Sequence, residues 1–204
     1  MLARAVRGFG LGTALVFFAL VGPAVATAAP LPVVVASAPP GPDGRLVLPL
    51  PFQAGAVTAP SRLQIPSLAI DAQVESLGVD ATGAMETPSK LFDVGWFRPG
   101  PSPGARGDAV IDGHVGLPGY PLIFTDLARI AVGADLVVIH ADGARSHFTV
   151  DAVSGWPANS HPTGLFATDG PARLTLITCT GPYDRFNQTY ADRLIVEAIY
   201  AGTD

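Results

Sequence analysis

The chain contains one cysteine, Cys179, placed directly after the apolar run "RLTLIT" (173–178). Two other side chains hold comparable positions: His114 ends "AVIDGH" (109–114), and Arg193 opens "RLIVEAIY" (193–200). A thiol beside an imidazole is a nucleophile with a proton shuttle. A neighbouring guanidinium stays charged and presents fixed donors, so it suits the oxyanion formed when a thiol attacks a carbonyl. Ordinary Cys and His pKa values imply that, without coupling, on the order of one per cent of molecules at neutral pH hold thiolate and imidazolium together. Acyl transfer by such a trio is feasible and slow. The plainer reading of a lone cysteine is a small buried apolar residue, and residue type by itself leaves both readings open.

The elements that must bring the trio together are strands. Beyond residue 60 helical periodicity is nearly absent, and short β-rich runs alternate with turn residues. Strands are expected over 62–65, 72–76, 83–87, 109–112, 135–140, 147–153, 173–178 and 194–200. Eight strands point to an all-β closed barrel or a sandwich. "VVIHADGARSHFTV" (137–150) reads as a hairpin turning at Asp142 and Gly143. On this reading Cys179 and His114 lie at strand ends, which carries them to the rim of the sheet. The long irregular stretches 96–107, 116–126 and 156–171 are where a binding surface would be built.

The first residues bear on the compartment. Arg4 and Arg7 precede an uncharged apolar stretch from Gly8 to Ala29, about the length that crosses a bilayer. Basic residues before it favour a cytoplasmic N-terminus, with the rest of the chain exported. Pro23 followed by Ala24, Ala26 and Ala28 also describes a signal-peptidase site. The segment 1–29 is thus either a membrane anchor, placing the domain on the extracytoplasmic face, or a cleaved signal that leaves it secreted. From 30 to 60 the density of prolines reads as an extended linker, and 61–204 as the folded β-rich domain. Eleven arginines and one lysine stand against a net charge of -5. That balance, with no basic stripe and no phosphate loop, excludes a nucleic-acid binder. His140 and His147 flank the hairpin turn, but two imidazoles without a carboxylate or thiol make a poor metal site. No calcium loop is found, so no cofactor is expected. His161 reads as a loop residue.

"GWFRPGPSPGARGDAVIDGHV" (95–115) followed by "LTLITCTGPYD" (174–184) resembles the sortase family, in particular its actinobacterial class E and F-like enzymes. "RLQIPSLAIDAQVESLGVDATGAMETP" (62–88) is similar to the first strands of that catalytic domain. The resemblance spans about 61–201. It implies an eight-stranded β-barrel with short helical turns, acting as a cysteine transpeptidase. Such an enzyme cuts a Leu-Pro-x-Thr-Gly-type sorting signal between Thr and Gly and joins the threonine to an amine of a cell-wall precursor or a pilin lysine. By position, Cys179 matches the nucleophile and His114 the family histidine. Many class F-like relatives carry the arginine where this chain has Ala191. Arg193 lies two residues later, on the same face of an extended strand, and Arg185 is the reserve candidate. Gly116 stands where a number of relatives carry Asp.

The stretch 156–171 corresponds to the family's substrate-binding connection, so Leu165 and Phe166 are candidates to receive the Leu and Pro of the signal, or else to pack the core. Thr178 either adds a hydroxyl to the site or completes the strand. Asp112 is close enough in sequence to orient His114. A monomer is expected. An L,D-transpeptidase would carry a His-Gly pair just before its cysteine, where this chain has Ile177 and Thr178. A weak or inactive sortase-like binding module, tethered to the membrane, is the non-enzymatic alternative; it requires the arginine to point away from the thiol.

Overall fold

The computed structural model describes residues 57–117, 119–160 and 162–204. The apolar segment 1–29, nearly all of the Pro-rich stretch and His161 lie outside the described residues. Among the described residues no helix is long and apolar enough to cross a membrane. The strands are β1 (Pro60–Ile65), β2 (Ile70–Leu77), β3 (Val94–Phe97), β4 (Asp108–Gly113), β5 (Gly116–Leu117), β6 (Tyr120–Pro121), β7 (Asp135–His140), β8 (Arg145–Pro157), β9 (Arg173–Asp184) and β10 (Thr189–Thr203). Eight of them close a barrel in the order β1-β2-β3-β4-β9-β10-β8-β7, while β5 and β6 form a separate two-stranded hairpin. Two single 3-10 turns, Pro66–Leu68 and Leu127–Arg129, join the described strands.

Period-two alternation decides what each strand turns inward. Leu63 and Ile65 of β1, Ala109 and Ile111 of β4, Leu174 and Leu176 of β9, and Leu194, Val196 and Ala198 of β10 belong to one buried core. Each large aliphatic among them contributes about 1.5–3 kcal/mol by leaving water. Phe124, Leu127 and Ile130, from the connection after β6, join the same core. Gly113 leaves room for this segment, because a Cβ there would overlap the Phe124 ring.

Two expectations are corrected. Residues 83–87 are not a barrel strand. Asp80 accepts hydrogen bonds from Thr82 N at 2.8 Å and Ala84 N at 3.1 Å, and Gly83 takes φ +88. That turn leaves only an isolated bridge, Val79 to Met85. The third strand is instead β3, within "VGWF", where Gly95 admits the Leu77 side chain. Pro60, read as the end of the linker, is the first residue of β1 and pairs with His140.

The Asp142–Gly143 hairpin forms between β7 and β8 as expected, with Gly143 at φ +89 and Ala144 N donating to Asp142 Oδ1. His140 and His147 do not meet across it. His140 is buried, with Nδ1 bonded to Thr58 O at 2.8 Å and Nε2 to Ser146 Oγ at 2.9 Å. His147 pairs with Asp204.

Candidate active site

Alternation also decides what faces outward. With Ala109, Ile111 and Gly113 of β4 directed at the core, Asp108 and Asp112 point out, and His114 continues their row. On β9 the outward residues are Thr175, Ile177 and Cys179; on β10 they are Arg193, Ile195 and Glu197. The parallel β4–β9 ladder ends with Asp112 opposite Ile177; His114 follows one residue past the end of β4, and Cys179 lies two residues beyond Ile177 on β9. The antiparallel β9–β10 ladder places Arg193 directly opposite Cys179. β10 and β9 therefore present guanidinium and thiol side by side, with strands about 4.8 Å apart, and the imidazole follows directly after β4, the other neighbour of β9.

All three line a cleft of about 500 Å³, together with Asp112, Ile177, Met85, Leu122, Phe166, Tyr183 and Tyr190. The cleft lies where β4 ends and the paired β9–β10 arm runs on. One expectation is corrected: Cys179 is not a strand end, since β9 continues to Asp184 and pairs with β10 to its tip. Two residues of β9, Gly181 and Pro182, oppose the single Ala191. Gly181, at φ +80, makes this bulge possible, and a Cβ there would overlap the Asp192 carboxylate. Bulges re-aim strands; beyond this one, Tyr183 and Tyr190 pack ring to ring at 5.0 Å and wall the cleft.

Each member of the trio is held. His114 Nε2 donates to Pro88 O at 2.9 Å, which leaves Nδ1 as the nitrogen able to exchange a proton. The His114 carbonyl accepts from Phe124 N at 2.9 Å. Arg193 Nη1 donates to Tyr190 O at 3.2 Å and Asp192 O at 3.0 Å, so the guanidinium is anchored through one nitrogen. Tyr190 Oη donates to Gly116 O at 2.8 Å and ties the β10 arm to the β5–β6 hairpin. Gly116 itself sits at φ +82, where a Cβ would overlap Tyr120 O. An aspartate at this position would not fit the turn.

Burial pushes the Cys179 thiol up; the Arg193 charge opposes that rise and Asp112 adds to it. Burial likewise raises Asp112, to about 6, against the pull of His114 and Arg193. The thiolate is thus scarcer at neutral pH than an ordinary thiol would give, and Arg193 is the charge that favours it.

The other expected site residues separate. Thr178 is 1 % exposed and donates to Gly113 O at 2.7 Å. It locks β9 to β4 and does not reach the cleft. Leu165 lines a neighbouring pocket of about 220 Å³ with Asp108, Thr175 and Glu197, whereas Phe166 lines the cleft. Adjacent residues diverge here because Phe166 adopts φ +66, a strained value for a bulky side chain. Its ring rests edge-on against Phe97, centroids 4.9 Å apart. Arg185 lies exposed in the turn between β9 and β10 and does not line the cleft. Tyr183 and Tyr190 went unrecognised as cleft residues, although an aromatic on each side of a polar turn was a readable hairpin sign. Among the described residues no cluster of His, Cys, Asp and Glu could hold a metal.

Asp108 anchors the loop that carries Phe166. It is 6 % exposed, accepts from Thr175 Oγ1 at 2.8 Å and from the Phe166 N–H, and burial raises it to about 6. The ordinary value is 3.8. Between about pH 4 and 6 the native protein therefore retains a proton that the unfolded chain has released, so stability falls as pH rises through that window. The full cost is about 3 kcal/mol, at ~1.4 kcal/mol per pKa unit. Asp108→Asn is expected to flatten urea midpoints between pH 4 and 7 relative to wild type; an unchanged slope would refute the assignment.

The sortase-domain family model matches residues 63–201. Among solved structures, the chain is similar to sortase C1 from Streptococcus agalactiae (TM-score 0.55, 24 % identity, 71 % of this chain and 68 % of that one). It is also similar to sortase C1 from Streptococcus suis (0.54, 24 %, 71 % and 74 %) and to a lid mutant of sortase A from Corynebacterium diphtheriae (0.54, 25 %, 75 % of each). No curated protein matches. A barrel of this strand order, matched by the sortase model over most of its length, leaves one assignment: the chain belongs to the sortase family of transpeptidases.

Proposed function

We propose that this protein is a class E/F-like sortase that cleaves a Leu-Pro-x-Thr-Gly-type signal between Thr and Gly, with Cys179 as nucleophile. The meeting of His114, Cys179 and Arg193 in one cleft, with Arg193 directly opposite Cys179 on the β9–β10 ladder, carries this reading. The Cys179 thiolate attacks the Thr carbonyl while Arg193, through the guanidinium N–H groups not spent on Tyr190 and Asp192, stabilises the oxyanion. His114 protonates the departing Gly amine from Nδ1. The thioacyl-enzyme then passes its acyl group to an amine of a cell-wall precursor or pilin. Phe166, Met85 and Leu122 provide apolar surface for the Leu and Pro of the signal. The basic and then apolar sequence of 1–29 supports export of the domain, to the extracytoplasmic face of the membrane or, if the segment is cleaved, as a secreted protein.

Incubating the full-length chain with Leu-Pro-x-Thr-Gly peptides tests this by intact mass. The expected product is a mass increase equal to the acyl fragment, mapped to Cys179. Peptide bound without any covalent adduct would overturn the enzymatic reading in favour of a tethered binding module.

A further inference from the structure

Asp112 is a carboxylate in the cleft of a thiol, where its charge opposes formation of the nucleophile. It lines the cleft two residues before His114, together with Cys179 and Arg193, and the neighbouring Gly113 N–H is among the groups that favour its charge. Its negative charge makes the Cys179 thiolate harder to form. The cleft's other acid, Glu86, turns Oε2 to Gly78 N at 2.6 Å. A largely buried carboxylate that weakens the nucleophile and, among the described residues, has no side-chain hydrogen-bond donor is costly, and rule-breaking residues in a site generally serve its chemistry.

We infer that Asp112 is the docking group for the acceptor: it selects a cationic primary amine and receives its first proton. This rests on the transpeptidase reading above. A primary amine arrives at neutral pH as an ammonium, which cannot attack. One N–H bonds the Asp112 carboxylate, and that proton passes to the carboxylate as the nitrogen closes on the thioacyl carbon. The C–N bond forms, the C–S bond breaks, and Cys179 leaves as thiolate. The second nitrogen proton goes to His114 Nδ1. Two protons leave the ammonium, one remains on the amide, and charge balances: the ammonium and carboxylate that enter become imidazolium and thiolate. The same chemistry serves a chain-terminal amine or a lysine side chain.

The full-length enzyme is acylated with a Leu-Pro-x-Thr-Gly peptide and offered triglycine, Nα-acetyl-lysine amide, or hydroxylamine, which is uncharged at neutral pH. Asp112→Asn is expected to raise the KM of at least one cationic amine about tenfold or more, the worth of one hydrogen bond to a charged group. The KM of hydroxylamine stays unchanged, and alkylation of Cys179 by iodoacetamide speeds up. Which amine is affected separates a chain terminus from a lysine. Equal losses with all three nucleophiles, or slower acylation, would overturn the inference and assign Asp112 to positioning His114. Should the variant not fold, added salt on wild type decides: it must weaken cationic acceptors and spare hydroxylamine. If wild type forms no thioacyl adduct, the transpeptidase reading falls first and this inference with it.

Discussion

Cys179→Ala is expected to form no acyl adduct and to lose peptide turnover by about four orders of magnitude or more, the scale seen when a nucleophile is deleted from a cooperating set. Folding should hardly change. The thiol is only partly buried, and losing one small polarisable group there costs about 1 kcal/mol or less. Peptide binding should persist, because Phe166, Met85 and Leu122 are untouched. In wild type, iodoacetamide labelling should keep accelerating as pH rises past the ordinary thiol range near ~8.5, since burial and Asp112 both hold the proton on sulfur. Residual turnover in Cys179→Ala would sink the covalent route, because no other cysteine exists to replace it.

Much of this site was readable before any coordinates, and the reasons are local. "RLTLIT" and "AVIDGH" each alternate core residues with outward ones, so the thiol and imidazole follow apolar runs that any β-reading finds. Asp112 shares the outward row with His114 by the same alternation. The apolar signal stops at Thr178 because there β9 leaves the core, whereas backbone pairing with β10 continues to the tip. That is why Cys179 looked terminal. The strand at Val94–Phe97 hid behind a short "VGWF" run, while 83–87 carried a more regular pattern that an Asp80 turn defeats. Leu165 and Phe166 could not be told apart, since their divergence depends on a positive φ at Phe166. The class E/F likeness still rests on the motifs, as the matched structures above are named sortases C1 and A.

The cost of this arrangement makes Arg193, rather than Arg185, the arginine expected to matter. A thiol raised by burial and by a nearby carboxylate needs a compensating cation, and Arg193 is directly across the ladder from it. Arg193→Ala is expected to lower kcat/KM by about 10²–10³, the loss typical of one oxyanion donor. It also pushes the Cys179 thiol further up, so iodoacetamide labelling at neutral pH slows. Arg193→Lys should recover the charge and hence much of the labelling rate. It should recover little turnover, because an ammonium lacks the planar fork that bonds Tyr190 and Asp192 carbonyls with one nitrogen and leaves others free for substrate. Arg185→Ala, changed in the exposed turn outside the cleft, should stay within about twofold of wild type, as surface substitutions do. Peptide turnover that survives in Arg193→Ala but falls in Arg185→Ala would move the oxyanion role to the hairpin tip and require that tip to fold over the thiol when substrate binds.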